Sequence, residues 1–424
     1  MEFETKVIST ETIKPSTPTP KSLQKHQLSF LDQLAPPSLM PFVYFYSSNT
    51  IPNSQKSNHL KNSLSQVLSI FYPLAGRLVN NRYVDCHDGG APFSEAKADC
   101  DLSQVITNLD PKNMKKFLPY KLMNESQDFC MAVQATYFRC GGLAVGLLIS
   151  HTIADALSFF FFANAWSAVA RNGDGGGIQL PKFDAATYFP PRDISGFKPS
   201  TGMILKEELV TKIFTFPADK ITLLRERYGG GDVPQRRPTR VEALSAFIWT
   251  RFVSATGQKA DPNKIYTVQH AINLRTRIEP PLPEYHFGNI WRVSIAKPEV
   301  GDGGVKLLQK VWEAMKAVNG SYVAQLKEGH EKHLNMMKEL MAQSNKGELV
   351  SFSFTSLCRF PLYEADFGWG KPVQVGSAGF VYKNLVTFMD TTNGDGIEAW
   401  INLRKEDMEK FEADFELQEF LSHH

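Results

Sequence analysis

Two periodicities of apolar residues run through the chain, and together they predict a mixture of strands and helices. Short runs rich in β-branched and aromatic residues are typical of strands. They lie at 41–48, 131–139, 143–150, 209–216, 348–357, 372–381, 384–390, 395–403 and 264–278, the last of which runs into a polar loop. Longer segments with apolar residues at helical spacing are typical of helices. They lie at 57–71, 154–170, 218–229, 237–257 and 305–340. The irregular alternation of the two elements in both halves indicates two α/β sandwich-like domains.

Turn-forming and capping residues mark the connections between these elements. The D-G-G sequence at 88–90 predicts the turn of a hairpin within 82–99. Thr239 and Glu242 stand as T-x-x-E at the start of a helix, which is the signature of a capping box. The Pro-rich segment 181–205 shows little periodicity, and such segments inside compact proteins are usually linkers or functional loops. We therefore expect it to be the crossover between the two domains.

Composition and charge narrow the class of protein. The chain has 424 residues, 42% hydrophobic and 21% charged, which is typical of a globular enzyme of two or three domains. Its formal charge of +2 gives no support to a nucleic-acid or acidic-membrane partner. The polar N-terminal stretch lacks the apolar core of a signal peptide, and no apolar run reaches the roughly 18 residues of a membrane span. The five cysteines contain no C-x-x-C pair, so we expect reduced thiols in a cytoplasmic protein. Nothing indicates a coiled coil or an obligate interface, so a monomer is expected.

The segment LLISHTIADALSFFFF, residues 147–162, carries the first candidate site. His151 and Asp155 lie four positions apart between an apolar strand and a helix, and strand ends in α/β proteins commonly display catalytic groups. A neutral imidazole, with an unperturbed pKa of about 6.5, can take a proton from an attacking alcohol. Asp155 could orient that imidazole as in a catalytic triad, or pair elsewhere and fix the loop. The alternative for the histidine is a hydrogen-bonded core residue without a catalytic role.

Several common sites are missing from the sequence. A nucleophilic hydrolase needs a serine elbow of the form G-x-S-x-G, which the chain lacks. Neither H-E-x-x-H nor paired cysteines occur, so no metal site is predicted. The D-F-G at 366–368 stands without the other motifs of a protein kinase. A lone histidine base therefore suits direct attack by one substrate on an activated acyl group.

Two further motifs stand out in the second half of the chain. The run DFGWG comprises Asp366, Phe367, Gly368, Trp369 and Gly370. Its two glycines predict a tight turn with positive φ, packed between strands, and a structural role. The NLRTR motif at 273–277 places two arginines just past a strand, where they could bind phosphate or neutralise a buried carboxylate. Asp155 is the obvious carboxylate for such a pairing.

Together these motifs resemble the plant BAHD family of acyl-CoA-dependent acyltransferases. HTIAD matches the H-x-x-x-D motif of the family and DFGWG its second signature, in the same order and at a similar separation. LSFLDQL at 28–34, YPLAGR at 72–77, NLRTR and DGIEAW at 395–400 also match, so the resemblance covers essentially the whole chain. H-x-x-x-D alone is common, but this combination is highly specific. Within the family, the chain resembles the vinorine-synthase-like group, which acetylates alkaloid and terpenoid alcohols.

The resemblance implies a fold related to chloramphenicol acetyltransferase. Two α/β domains of similar size, each a mixed sheet flanked by helices, would enclose a solvent channel between them. The first domain would be 1–180, completed by a returning segment at 366–385. The second would be 206–424, and the crossover loop 181–205 would join the two.

The resemblance also implies roles for the motif residues. His151 would be the general base at the centre of the channel. Asp155 would point away from the substrate and pair with Arg275, which keeps the loop in shape. The segment 366–370 would lie off the channel and be structural, although Trp369 is one candidate donor to the reaction's oxyanion.

The implied co-substrates are an acyl-CoA donor, with acetyl as the expected acyl group, and an alkaloid or terpenoid alcohol as the acceptor. No cofactor is expected to stay bound. Thr239 and Arg240, at the start of a helix, are candidates to contact the CoA phosphates, and Ser356 matches a family position near CoA. Two alternatives stay open: a catalytically inactive relative that binds small molecules or CoA, and an acyltransferase that uses a larger aromatic or branched acyl-CoA.

Overall fold

The computed structural model describes residues 3–121, 128–173, 177–194, 208–229, 236–257, 264–299, 301–328, 331–379 and 382–422. The chain divides into two compact units, each of which is discontinuous in sequence. The first unit comprises Met1–Pro199, Leu282–Ile290 and Phe360–Ala378. The second unit comprises Ser200–Pro281, Trp291–Arg359 and Gly379–His424.

The strands of the described residues are numbered here in chain order. They are β1 Thr5–Ile13, β2 Lys25–Gln27, β3 Leu39–Tyr46, β4 Arg77–Val79, β5 Tyr83–Asp85, β6 Ala91–Ala98, β7 Met131–Tyr137, β8 Leu143–Ser150, β9 Leu209–Pro217, β10 Ile265–Asn273, β11 Trp291–Ala296, β12 Leu349–Ser356, β13 Gln374–Ser377, β14 Leu385–Asp390 and β15 Gly396–Arg404.

The α-helices fall into two groups by unit. Those of the first unit are Phe30–Gln33, Asn53–Ile70, Leu102–Ile106, Pro111–Met114, Ala156–Asn172 and Ala185–Tyr188. Those of the second unit are Ala218–Gly229, Arg240–Thr256, Gly304–Ala317, Gly320–Glu328, Glu331–Asn345, Lys405–Glu412 and Phe415–Glu419. The region 305–340, for which helices were expected, contains three of them among its described residues.

Six strands of the first unit form a mixed sheet in the order β1-β6-β7-β8-β3-β13. Strands β6 and β7 run parallel, and the other neighbours run antiparallel. Every residue of β7 and β8 is buried, because a strand this apolar is stable only when both of its faces are covered. The sheet therefore delivers His151, the residue after β8, from the most buried part of the unit.

The hairpin expected within 82–99 does not form. Strand β5 belongs to a separate three-stranded sheet, β2-β5-β4, whereas β6 belongs to the six-stranded sheet. Asp88 and Gly90 do turn the chain, with φ of 55° and 81°. The Asp88 carboxylate, however, accepts hydrogen bonds from the backbone N–H and the hydroxyl of Thr19, at 2.9 and 2.6 Å. Turn residues specify a change of direction, and they do not specify which strands pair afterwards.

The second unit is built around another six-stranded mixed sheet, in the order β11-β10-β12-β14-β15-β9. Strands β10, β12 and β14 run parallel to one another. One face packs against the helices Ala218–Gly229, Arg240–Thr256 and Gly304–Ala317 through a large apolar cluster. The predicted capping box is present, since the Thr239 hydroxyl accepts from the Glu242 N–H and the Glu242 carboxylate accepts from the Thr239 N–H.

Sequence patterning missed the outer strand β1 and placed two segments differently from the structure. β1 is mostly exposed and polar, so it shows no alternation from which a strand could be predicted. The segment expected to return to the first domain was 366–385; the returning segment is Phe360–Ala378, in which β13 pairs with β3. Leu282–Ile290 was expected in the second domain and belongs to the first unit. Of the expected crossover 181–205, residues 195–205 lie outside the described residues.

Candidate active site

His151 lies where strand β8 ends, in a short loop before the helix Ala156–Asn172. Its backbone N–H donates to the carbonyl of Ser38, 2.8 Å away, next to the start of β3. The loop is only five residues long, so both of its ends are held by buried secondary structure. The side chain of His151 is half-buried. The sequence thus places an ionisable ring at the edge of an apolar sheet.

The hydrogen bonds of the His151 ring define which nitrogen is basic. Nδ1 lies 3.0 Å from the carbonyl oxygen of Ala154. Because a carbonyl can only accept, Nδ1 carries the proton and the lone pair of the neutral ring is on Nε2. Burial lowers the pKa of the imidazole below its usual value of 6.5, and the negative charge of Asp155 and the nearby hydrogen bonds oppose that shift. The neutral form that a general base requires is therefore the favoured form near pH 7.

Asp155 caps the helix that follows His151. Its Oδ1 accepts from the backbone N–H of Ser158 at 2.9 Å, which is the N-cap bond of the helix Ala156–Asn172. Its Oδ2 accepts from the backbone N–H of Ile290 at 3.1 Å. The side chain is 5% exposed. In a triad the Nδ1 proton of the histidine would point at this carboxylate, but here it points at the Ala154 carbonyl, so the arrangement is not that of a triad.

The segment Leu282–Ile290, which the sequence analysis did not single out, forms hydrogen bonds with the loop that carries His151. Asn289 is fully buried, and its side-chain Nδ2 donates to the carbonyl oxygen of His151 at 2.7 Å. The Gly288 N–H and carbonyl both bond to the hydroxyl of Ser158, at 3.0 and 3.1 Å. With the bond from Ile290 to Asp155, three consecutive residues of Leu282–Ile290 are joined to the His151–Ser158 stretch.

Asp32 is the second residue that sequence analysis missed. It is 2% exposed, and its Oδ1 accepts from both the backbone N–H and the Nδ2 of Asn289, at 2.8 and 2.9 Å. Its Oδ2 accepts from the N–H and the hydroxyl of Ser29 in a capping box. The S-x-x-D spacing within LSFLDQL was the available signal for the cap. No local signal in the sequence could have indicated the contact with Asn289.

The DFGWG segment folds onto itself. The Asp366 Oδ1 accepts from the backbone N–H groups of Gly368 and Gly370, at 2.8 and 2.9 Å. Both glycines have φ near 100°, a region that other residues avoid. The Phe367 ring is buried against Trp166, with centroids 4.8 Å apart, and the Phe367 carbonyl accepts from Nε2 of His59 at 2.9 Å. These contacts describe a packed turn rather than a reaction site.

Trp369 and His151 are associated with opposite ends of strand β3, an arrangement that lends no support to Trp369 as a donor to the oxyanion. Its ring packs against Tyr46, the last residue of β3, at a centroid distance of 6.2 Å. His151 bonds to Ser38 at the other end of that strand. Eight residues of extended chain at about 3.3 Å per residue separate Ser38 from Tyr46 by about 26 Å.

The remaining predicted site residues belong to the second unit. Arg275 is buried, and its backbone N–H and Nη1 both donate to the Asn273 side chain, at 3.0 and 3.4 Å. Arg277, the other arginine of NLRTR, donates to the carbonyl of Val318 beyond the end of Gly304–Ala317, so it has a structural contact. A buried guanidinium requires anionic or multiple acceptor partners.

Arg240 and Ser356 each lie at the carboxyl end of a parallel strand, Arg240 through its ion pair and Ser356 as the last residue of β12. Arg240 pairs with Asp390, the last residue of β14, at 2.8 Å, and Asp390 also accepts from the Arg359 N–H at 2.7 Å. Ser356, the last residue of β12, accepts from the Cys358 N–H at 3.3 Å. Thr239 uses its hydroxyl for the helix cap. The charge of Arg240 is therefore already balanced by a carboxylate.

Within the described ranges, no cluster of three or more His, Cys, Asp or Glu side chains is arranged to hold a metal ion. In the same part of the chain, none of the helices combines the length and the apolar character needed to cross a membrane.

The chain is similar over its whole length to characterised acetyltransferases. It is 36% identical to stemmadenine O-acetyltransferase of Catharanthus roseus, with 98% of each chain covered. It is 37% identical to limonoid 1-O-acetyltransferase of Citrus sinensis, with 96% of each covered. It is 38% identical to vinorine synthase of Rauvolfia serpentina, covering 95% of this chain and 94% of that enzyme. The crystal structure of vinorine synthase superposes with a TM-score of 0.84 over 99% of both chains, at 36% identity.

The profile of the Transferase family matches residues 3–418, almost the entire chain. The mixed α/β sheets flanked by helices agree with the fold expected from the sequence resemblance. The chain therefore belongs to the Transferase family, the BAHD acyltransferases, and it is an acyl-CoA-dependent O-acyltransferase.

Proposed function

We propose that this enzyme transfers acetyl from acetyl-CoA to a hydroxyl of an alkaloid or terpenoid alcohol, with His151 as the general base. Support for the acyl group and the acceptor class comes from the relatives, whose names describe acetylation of stemmadenine and of limonoids. Support for the base comes from the position of His151 within the H-x-x-x-D motif and from the state of its ring.

The single observation that carries the proposal is the bond from Nδ1 of His151 to the Ala154 carbonyl. It fixes the tautomer, so Nε2 is the basic nitrogen at every turnover. Burial keeps the ring neutral by lowering its pKa, and the charge of Asp155 favours the imidazolium once a proton arrives. A base of this kind can accept a proton in one step and return it in the next.

The reaction then needs no acyl-enzyme. The acceptor hydroxyl attacks the thioester carbonyl carbon while Nε2 of His151 takes its proton, and a tetrahedral oxyanion forms. When that intermediate collapses, the carbon–sulfur bond breaks and the imidazolium returns the proton to the CoA sulfur. The products are the ester and free CoA, and the ring is neutral again. Holding both substrates at one imidazole supplies much of the acceleration.

The other predicted residues are assigned supporting roles. Asp155 fixes the loop as a helix cap, and its pairing with Arg275 remains a prediction that the burial of both residues supports. The segment 366–370 is structural. Arg240 and Ser356, at the carboxyl ends of parallel strands, and Thr239 beside them are the candidates for contacts with CoA. The enzyme is expected to act as a cytoplasmic monomer.

The test is CoA release, followed with a thiol reagent, from acetyl-CoA and a panel of alkaloid and terpenoid alcohols. We expect release that depends on the acceptor and is lost in His151→Ala. Release without an acceptor preference for these classes would overturn the acceptor assignment. Release only with aromatic or branched donors would replace acetyl. Binding of CoA without turnover for any donor would favour the alternative of an inactive binding relative.

A further inference from the structure

Three segments that are far apart in sequence meet at the backbone carbonyl of His151. The short helix Phe30–Gln33 brings Asp32, the loop after β8 brings His151, and the returning segment Leu282–Ile290 brings Asn289. Both side chains, Asp32 and Asn289, are almost completely buried, at 2% and 0% exposed. Buried polar groups of this kind are costly unless every hydrogen bond is made, so their presence needs an explanation.

We propose that Asn289, held in place by Asp32, is a positioning residue for His151. This inference rests on the proposed function, because it assigns a purpose to the geometry around the general base. In this assignment Asp32 acts through Asn289. Asn289 acts on His151 through its peptide group, and a side-chain hydrogen bond from Asn289 also raises the pKa of the imidazole.

The hydrogen-bond chemistry fixes the orientation of the Asn289 amide. Nδ2 has two hydrogens, and it donates to Asp32 Oδ1 at 2.9 Å and to the His151 carbonyl at 2.7 Å. A flipped amide would place its oxygen against a carboxylate and a carbonyl, neither of which can donate. Asp32 thus determines which way Asn289 points, and Asn289 determines where the carbonyl of His151 lies.

The backbone around Asn289 is held just as firmly. The Asn289 N–H also donates to Asp32, at 2.8 Å, while Gly288 and Ile290 bond to Ser158 and Asp155. Gly288 has a φ of 131°, and a Cβ there would lie 3.1 Å from that of Ala185, so the close approach depends on glycine. The anchor is therefore rigid, as a positioning group must be.

Fixing the carbonyl of His151 also restricts its ring, because the ring is only two bonds away from the backbone, across Cα and Cβ. The same residue is bonded at its N–H to Ser38 and at Nδ1 to Ala154. With the carbonyl held as well, the backbone on both sides of the Cα is fixed, and only the side-chain torsions remain. Displacement of a catalytic base by about 1 Å can cost about a hundredfold in rate.

The His151 titration offers a readout that a purely structural role would not change. The Asn289 side chain is among the groups that raise the pKa of His151, against the lowering by burial. Removal of the amide should therefore move that pKa further below 6.5. A loss of global stability alone would leave the pKa in the folded molecules unchanged.

The variants are Asn289→Ala, Asp32→Asn and the double variant, with Gln33→Ala as the matched control. Gln33 adjoins Asp32 and is also buried, and its amide bonds to the backbone of residue 192 rather than to the His151 loop. For each folded variant we would measure kcat and KM, the pH profile of kcat/KM, and the imidazole titration by NMR of protein labelled with ¹⁵N-histidine. His151→Ala identifies the His151 resonance among those of the ten histidines.

We expect Asn289→Ala to lower kcat about tenfold to a hundredfold with little change in the KM for acetyl-CoA, and to lower the pKa of His151. Asp32→Asn should shift both quantities in the same direction by less. The double variant should resemble Asn289→Ala, because one residue acts through the other. Gln33→Ala should change thermal stability alone.

Wild-type kcat and an unchanged His151 titration in folded Asn289→Ala would overturn the inference. So would additive losses in the double variant. If Asn289→Ala does not fold, kcat and the His151 titration would be measured on Asp32→Asn instead, because that substitution keeps the size of the side chain. The titration needs no substrate. If the wild type had no acyltransferase activity, the proposed function would be refuted, but the titration would still show whether Asn289 and Asp32 affect the His151 ring.

Discussion

The loop around His151 and the turn at 366–370 are both marked by short motifs, yet they are built in opposite ways. In the turn, the Asp366 carboxylate accepts from N–H groups two and four residues further along. Around His151, Asp155 of the loop and Asp32 of the helix Phe30–Gln33 accept from backbone groups of a segment more than 130 residues away in sequence. A carboxylate that closes its own turn shapes the backbone locally. Carboxylates that hold distant segments around a titratable ring preorganise a site.

A histidine bonds to a backbone carbonyl in each region, His151 within its own loop and His59 from the helix Asn53–Ile70 to the turn, and the two rings bond through different nitrogens. His151 bonds through Nδ1, so its basic nitrogen is Nε2, at the far end of the ring. His59 bonds through Nε2 to Phe367, so its basic nitrogen is Nδ1, next to its own helix backbone. The first arrangement is the one that suits the proposed general base, because the lone pair lies on the nitrogen farther from the backbone. The two regions therefore differ in which nitrogen of the histidine is basic, a difference that the sequence motifs do not show.

The largest effect is expected from paired alanine substitutions of these two histidines. His151→Ala should lower kcat about a thousandfold, since a general base contributes about 10²–10⁴. Its melting temperature should stay close to that of the wild type because the side chain is only half-buried. His59→Ala should leave kcat unchanged. Steady-state kinetics and thermal melts of both variants test this, and an unfolded His151→Ala would instead support a core histidine.

Two substitutions of Asp366 separate shape from charge in the turn. Asp366→Ala removes the acceptor of two backbone N–H groups and should lower the free energy of unfolding by about 1–3 kcal/mol. Asp366→Asn keeps an oxygen in that position and should lose much less. Neither should change kcat per folded molecule. Urea unfolding measures the first effect, and a large drop in kcat for folded Asp366→Asn would contradict the structural role.

The same contrast explains how far the sequence could be read. The strands β3, β7, β8 and β14 and the helix Ala156–Asn172 carry strong apolar periodicity, and they were predicted within a few residues. The family and the enzyme class followed from motifs that are specific in combination. In each case the signal is local, either a period along the chain or a few adjacent residues.

What the sequence did not indicate depends on contacts between distant segments. D-G-G at 88–90 predicted a turn correctly but a hairpin wrongly, because pairing is decided by which edge of a sheet is open. Asn289 and Asp32 gave no sign of being joined, and the polar strand β1 had no alternation. Long-range partners of this kind have no period and no fixed spacing, so patterning alone cannot find them.

The acid limb of the activity profile should show which region performs the chemistry. Burial lowers the pKa of His151 from 6.5, so the neutral base persists to lower pH than a free histidine would allow. At pH 5.5 an unperturbed histidine would be about 90% protonated and kcat/KM would fall about tenfold. The loss here should be smaller, because fewer rings are protonated in the folded enzyme. The measurement is kcat/KM from pH 5 to 8, and an acid-limb pKa at or above 6.5 would contradict the assignment of that limb to His151.

The smallest effect is expected in the second unit, at Arg240. Its charge is already balanced by Asp390, 2.8 Å away, so its attraction for a CoA phosphate is weakened. Arg240→Ala should raise the KM for acetyl-CoA about twofold to fivefold, less than the tenfold that 1.4 kcal/mol of binding free energy would give, with kcat unchanged. Acetyl-pantetheine, which has no phosphate, is the matched donor, and with it the two enzymes should have the same KM. An equal rise with both donors would mean that the substitution disturbs the helix start rather than a phosphate contact. Arg240 would then belong with Asp366, as a residue whose charge completes local structure, and not with the groups that surround His151.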